Sequence, residues 1–123
     1  MRVLFVCIGN SCRSQMAEGL ARELGLDASS AGTNPATRVA RHAVTVLAER
    51  GIDISAQHPK PVTGLDAADF DKVISMGCDV ACSTIRIDAD WGLEDPHGES
   101  IEEYRSTCDH IRRQLDDLIA EQA

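Results

Sequence analysis

The apolar run Val3-Leu4-Phe5-Val6 leads without a break into the polar stretch Cys7-Ile8-Gly9-Asn10-Ser11-Cys12-Arg13-Ser14. The run is continuous rather than alternating, which marks a strand covered on both faces, as in a parallel sheet. The polar stretch puts a thiol at the C-terminal end of that strand, then a short loop, then a helix start. Successive loop amides can point into one concavity and hold a tetrahedral oxyanion. Arg13 adds a planar, always-charged fork for two of the anion's oxygens. The same positive field makes Cys7 a thiolate nucleophile. The expected oxyanion cradle is therefore Ile8, Gly9, Asn10, Ser11, Cys12, Arg13 and Ser14. Asn10 is expected to tolerate a left-handed conformation, and Ser14 to donate a hydrogen bond to the sulfur.

Strand and helix signals alternate along the rest of the chain. Residues 2–7 read as the first strand and 13–24 as a helix with Met16, Leu20 and Leu24 on one face. Residues 28–32 read as a short second strand. Asn34-Pro35 has the form of a helix start, a cap followed by proline. The helix it opens would turn Val39, Ala43, Val46 and Leu47 inward and stop at Gly51. Residues 52–71 read as loop, with a helical turn near 64–69. Val73-Ile74-Ser75-Met76 is the third strand, and the alternating Thr84-Ile85-Arg86-Ile87 an edge strand. Ser100-Ile101-Glu102-Glu103 is a capping box. It opens a last helix with Ile101, Tyr104, Cys108, Ile111, Leu115 and Leu118 on one stripe.

This alternation predicts a single α/β domain over 1–123: a three-layer, four-stranded parallel sheet in order 2-1-3-4 with helices on both faces. In such sheets ligands bind beyond the C-terminal strand ends, where the strand order reverses. Here that point lies between strands 1 and 3. Neighbouring strands are about 4.8 Å apart, compatible with the roughly 5.5 Å Cα separation of a disulfide. The topology thus brings Cys78, just past strand 3, towards Cys7.

The net charge of −8 argues against nucleic acid or anionic membranes as partners and requires any anion site to be local. Only 3% of residues are aromatic, so the core is aliphatic. No apolar run has the length of a membrane span, and Met1-Arg2 enters the first strand directly, without a signal peptide. The cytoplasm is the expected location. There the five cysteines are expected to be reduced rather than structural disulfides.

Two further groups carry chemistry. Asp95, before Pro96, suits a general acid that protonates an oxygen leaving the anion. Cys78 and Cys82 suit a resolving pair: Cys78 attacks an oxidised or adducted Cys7, and Cys82 passes the disulfide outward. Cys12 is a lesser candidate. A zinc site on Cys78 and Cys82 needs two more ligands, and the sequence holds no second close pair, so no metal is expected. Cys108 lies on the apolar stripe, and His42, His58 and His110 are read as surface or cap residues.

The stretch Cys7 to Gly19 resembles the low-molecular-weight tyrosine phosphatase superfamily, and more closely its arsenate reductase branch. Similar segments recur at Ser30-Ala31-Gly32, Gly51 to Ser55, Asp71 to Met76 and Trp91 to Pro96. The resemblance implies Cys7 as nucleophile, Arg13 as oxyanion ligand and Asp95 as acid. It implies arsenate as substrate, with phosphate or sulfate as competitors, and a monomeric chain without a tightly bound cofactor. It also implies an external reductant: thioredoxin, or glutathione or mycothiol with a glutaredoxin-like protein. Thioredoxin-coupled members place their first resolving cysteine where Gly77 stands here, one residue before Cys78, and the gap to Cys82 is shorter than theirs. Some members bind potassium through groups similar to Asn10, Glu18 and Ser30 plus an aspartate. Lys60 stands at that aspartate position, so its ammonium is expected to replace the cation. The alternative reading is a phosphatase working through a Cys7 phosphoenzyme; a third is a non-catalytic oxyanion-binding or redox-sensing module. Against the phosphatase, His97-Gly98-Glu99 rather than a tyrosine follows Asp-Pro, leaving little for a phenyl ring to stack on.

Overall fold

The computed structural model describes residues 1–77 and 85–122. Four strands, β1 (Arg2–Cys7), β2 (Asp27–Gly32), β3 (Lys72–Ser75) and β4 (Ala89–Asp90), form one sheet in the order β2-β1-β3-β4. Every pairing is parallel. The predicted order therefore holds. Val3, Phe5 and Cys7 face one core, Leu4 and Val6 the other, and all five are buried. That two-sided burial is why the run does not alternate.

Three α-helices, α1 (Arg13–Glu23), α2 (Arg41–Glu49) and α3 (Ile101–Gln122), pack against one another on the larger core. The stripe of α3 falls as predicted, with Tyr104, Cys108, Ile111, Leu115 and Leu118 buried. The other face carries the smaller core of Leu4, Val6, Ala31, Val62, Phe70 and Val73, covered by the 3-10 turn Ala67–Asp69 and by Ile85 and Ile87. Among the described residues no helix is long and apolar enough to cross a membrane.

Two sequence expectations need correction. The helix α2 opens at Arg41, not after Asn34-Pro35. The amides of Asn34, Ala36 and Ala40 instead donate to the carbonyls of Ile8, Gly9 and Ser11, at 2.8, 2.9 and 2.9 Å. A helix from Pro35 would withdraw the amides that brace the Cys7 loop. The edge strand is Ala89–Asp90 rather than 84–87. Register is set at Asp88, whose backbone amide donates to the Val73 carbonyl (2.8 Å) and whose carboxylate accepts from the Val73 amide (2.7 Å). Ile85 and Ile87 contribute side chains to the smaller core without joining the ladder, and Thr84 lies outside the described residues.

Candidate active site

Register builds the site. Cys7 pairs with Gly32 across β2, and Val6 pairs with Ser75 across β3. The C-terminal ends of β1 and β3 therefore lie side by side at the point where the strand order reverses. A Cβ on Gly32 would stand 2.5 Å from the Ile8 carbonyl oxygen, so only glycine lets β2 approach this closely.

Between Cys7 and Arg13, every backbone carbonyl is tied outward. Cys7 accepts from the Thr33 amide (3.1 Å), Asn10 from the Gln15 side-chain amide (3.0 Å) and Cys12 from the Met16 amide (3.0 Å). Ile8, Gly9 and Ser11 accept from the 34–40 segment. With the acceptors turned out, the cradle that remains can offer donors, as an oxyanion requires. Asn10 has φ 48°, the left-handed conformation expected of it.

Two donors converge on the Cys7 sulfur. The Asn10 backbone amide lies 3.1 Å away and the Ser14 hydroxyl 2.9 Å away. The Asn10 side-chain NH2 donates to the Ser14 oxygen at 2.7 Å, and the Asn10 side-chain oxygen accepts from the Lys60 amide at 2.9 Å. Ser14 thus receives one hydrogen bond and directs its own proton to sulfur. Arg13 is buried, and one guanidinium nitrogen donates to the carbonyls of Met76 and Leu93, both at 2.9 Å. Its other terminal nitrogen lies 3.7 Å from the Asp95 carboxylate. Cys7, Arg13 and Asp95 line one cavity of about 230 Å³, together with Ile8, Gly9, Ser11, Cys12, Ala36 and His97.

Gly77 stands against the groups that hold Arg13. Its φ is +112°, and a Cβ there would meet the Leu93 carbonyl at 2.6 Å and the Arg13 guanidinium at 3.1 Å. A side chain at 77 would collide with the groups that aim Arg13. Cys78 and Cys82 themselves lie outside the described residues.

The other loop thiol differs. Cys12 is buried 3.3 Å from the Tyr104 hydroxyl. Burial pushes the Cys12 thiol up, outweighing the hydrogen bond from Tyr104, and burial pushes the Tyr104 hydroxyl up as well. Cys12 therefore stays a neutral thiol near neutral pH. Below the loop, buried Glu18 accepts from Ser30 (2.7 Å) and faces the Lys60 ammonium (3.7 Å) and Arg22 (3.1 Å). The potassium-site groups named by resemblance are thus brought together, with a lysine among them.

Sequence reasoning missed Gln15, which is fully buried and receives the Gln57 side-chain amide on its own side-chain oxygen (2.8 Å). The available signal was a polar residue on the inward face of a helix. It also missed the 33–40 segment as the loop's brace.

A thiol under an amide cradle, with an arginine and a carboxylate across one small cavity, defines a protein that attacks tetrahedral oxyanions with sulfur. The chain belongs to the low molecular weight phosphotyrosine protein phosphatase family, whose model matches residues 2–123. It is 42% identical to a glutaredoxin arsenate reductase of Synechocystis sp., over 97% of this chain and 96% of that protein. Its fold superposes on an arsenate reductase in the phosphate-binding state with a TM-score of 0.88, at 42% identity, covering 99% of this chain and 98% of the other. An arginine phosphatase from Geobacillus stearothermophilus gives a TM-score of 0.81 at 28% identity, covering 98% and 92%.

Proposed function

We propose that this chain reduces arsenate to arsenite. The observation that carries the reading is the small cavity uniting Cys7, Arg13 and Asp95, whose lining, among the described residues, includes no aromatic ring other than the His97 imidazole. A space of about 230 Å³ has room for a tetrahedral oxyanion beside Cys7 and Arg13. The naming of the relatives as arsenate reductases supports the same substrate.

The Cys7 sulfur attacks arsenic, forming an S–As bond. Asp95 donates a proton to the departing hydroxide, which leaves as water. The cradle amides and Arg13 stabilise the charge that develops on the remaining oxygens. A second thiol then attacks the Cys7 sulfur. The S–S bond forms, the S–As bond breaks, and its electron pair stays on arsenic, reducing As(V) to As(III). The second thiol's proton goes to arsenite, and the proton Cys7 sheds on ionising restores Asp95. In sum, dihydrogen arsenate and two thiols become dihydrogen arsenite, one disulfide and one water. Cys78 takes the disulfide from Cys7, and Cys82 passes it to the external reductant. Glutathione with a glutaredoxin-like protein is the donor this reading favours.

Arsenate-dependent NADPH oxidation with glutathione, glutaredoxin and glutathione reductase tests the reading, beside a parallel assay with thioredoxin and its reductase. Turnover in either establishes the reductase. Silence in both, with cleavage of an aryl phosphate, would make the protein a phosphatase. Cys78→Ser should stop steady-state turnover with thioredoxin while still forming one Cys7 adduct, visible by mass spectrometry. Full turnover of that variant with thioredoxin would remove Cys78 from the mechanism.

A further inference from the structure

A second cavity, of about 640 Å³, opens beside the reaction cavity. The two share Ser11, Ala36 and His97 in their linings, so the groove leads directly to Cys7. Its remaining lining includes Thr37, Arg38, Arg41, His42 and Tyr104, with the His42 and Tyr104 rings edge to face at 5.2 Å. None of the described lining residues is acidic, in a chain with 20 carboxylate side chains against 12 basic ones. Arg38 and Arg41 are exposed and, like Arg113 on α3, make no ion pair among the described residues, whereas Arg2, Arg13, Arg22, Arg50, Arg86, Arg105 and Arg112 each have a carboxylate partner; of the three, only Arg38 and Arg41 line this groove. The groove also crosses the start of α2, where the first turn holds no acidic residue. Two unspent guanidinium forks beside a sulfur nucleophile suit a small molecule whose thiol lies between two carboxylates.

We infer that this groove binds a small carboxylate-bearing thiol of the glutathione type, with its carboxylates on Arg38 and Arg41 and its thiol directed at Cys7. The inference rests on the reductase reading and supplies its second thiol. The docked thiol attacks the Cys7 sulfur of the arsenic adduct; the mixed disulfide forms, the S–As bond breaks with its electron pair on arsenic, and the thiol's proton goes to arsenite. Cys78 or glutaredoxin then receives the disulfide. Mycothiol, which lacks carboxylates, has nothing to offer the two arginines.

The test compares glutathione with its diethyl ester, in which both carboxylates are masked. Rapid quenching of arsenate-loaded protein, followed by mass spectrometry of the Cys7 mixed disulfide, gives the rate for each. The natural chain should prefer glutathione by about tenfold at low salt, the size expected of one or two exposed charge pairs. R38Q/R41Q should react with the two at nearly equal rates. An unchanged preference in the variant, or none in the natural chain, overturns the inference. Both side chains are exposed and make no ion pair among the described residues, and a thermal melt of the variant checks that the fold is intact. A chemistry-free readout separates this inference from the reductase reading: S-methylglutathione should shift the amide resonances of residues 36–42 and 97. Such shifts in a protein inert to arsenate would keep the groove and sink the reductase; arsenate turnover without them would do the reverse. Reduction by glutaredoxin that needs the arginines while glutathione does not would also overturn the inference, assigning the groove to a protein partner.

Discussion

Residues in one loop of this protein do different work because their surroundings differ. Cys7 and Cys12 are both buried, yet the Asn10 amide and the Ser14 hydroxyl are aimed at the Cys7 sulfur, while burial dominates at Cys12 and pushes its thiol up despite hydrogen bonds with Tyr104 and Ser11. Asp95 is the half-exposed partner of a buried arginine, 53% against 6% by side chain, and so stands at the solvent side of the cavity. Asp95→Asn should lower the rate of Cys7 adduct formation by about 10²–10⁴, the usual worth of a general acid, with little change in phosphate affinity measured by calorimetry. Cys108 provides a pH test. Burial pushes its thiol from 9.0 up to about 11. Above its ordinary value the unfolded chain ionises first and binds fewer protons than the folded one. Stability should therefore be intact below about pH 9 and decline as pH rises towards 11. Denaturant titrations across that window should show a shallower decline for Cys108→Ala. Equal slopes would mean that Cys108 is not the group involved.

At the level of elements, two misread boundaries share a cause. Asn34-Pro35 has the local form of a helix start, but the amides of this segment are spent on the carbonyls of the Cys7 loop. Residues 84–87 have the alternation of a strand, but the Asp88 hydrogen bonds to Val73 place the pairing at Ala89–Asp90. Local propensity lost both times to hydrogen bonds made with residues distant in sequence. The strand β2 carries a prediction of its own. Gly32→Ala puts a methyl group 2.5 Å from the Ile8 carbonyl, which is backbone and cannot swing aside. Forcing it in should cost about 1–3 kcal/mol of stability and weaken phosphate binding by pulling the cradle out of shape. A variant with lower melting temperature and unaltered phosphate affinity would show that the cradle is held independently of β2.

Across the whole molecule, charge is distributed against the reaction and corrected locally. A chain of net charge −8 repels anions at long range, so Arg13 and the loop must capture the oxyanion at short range. Beneath them, the Lys60 ammonium lies 3.7 Å from the Glu18 carboxylate, the contact expected if it replaces the cation that the resemblance implies. Activity and melting temperature should therefore be the same in potassium as in sodium at equal ionic strength; a strong rise with potassium would remove Lys60 from that role. The eight residues from Cys7 to Ser14, the strand before them, the parallel order 2-1-3-4 and the stripe of α3 were all legible in the sequence. Each is written in contiguous or regularly spaced residues, where burial on two faces or one stripe leaves a periodic trace. Only the tertiary structure decided which amides brace the loop, that Gly77 leaves no room for a side chain beside Arg13, and that Arg38, Arg41 and His97 meet along one groove. Those are contacts between segments far apart in the chain, and no periodicity within either segment records them.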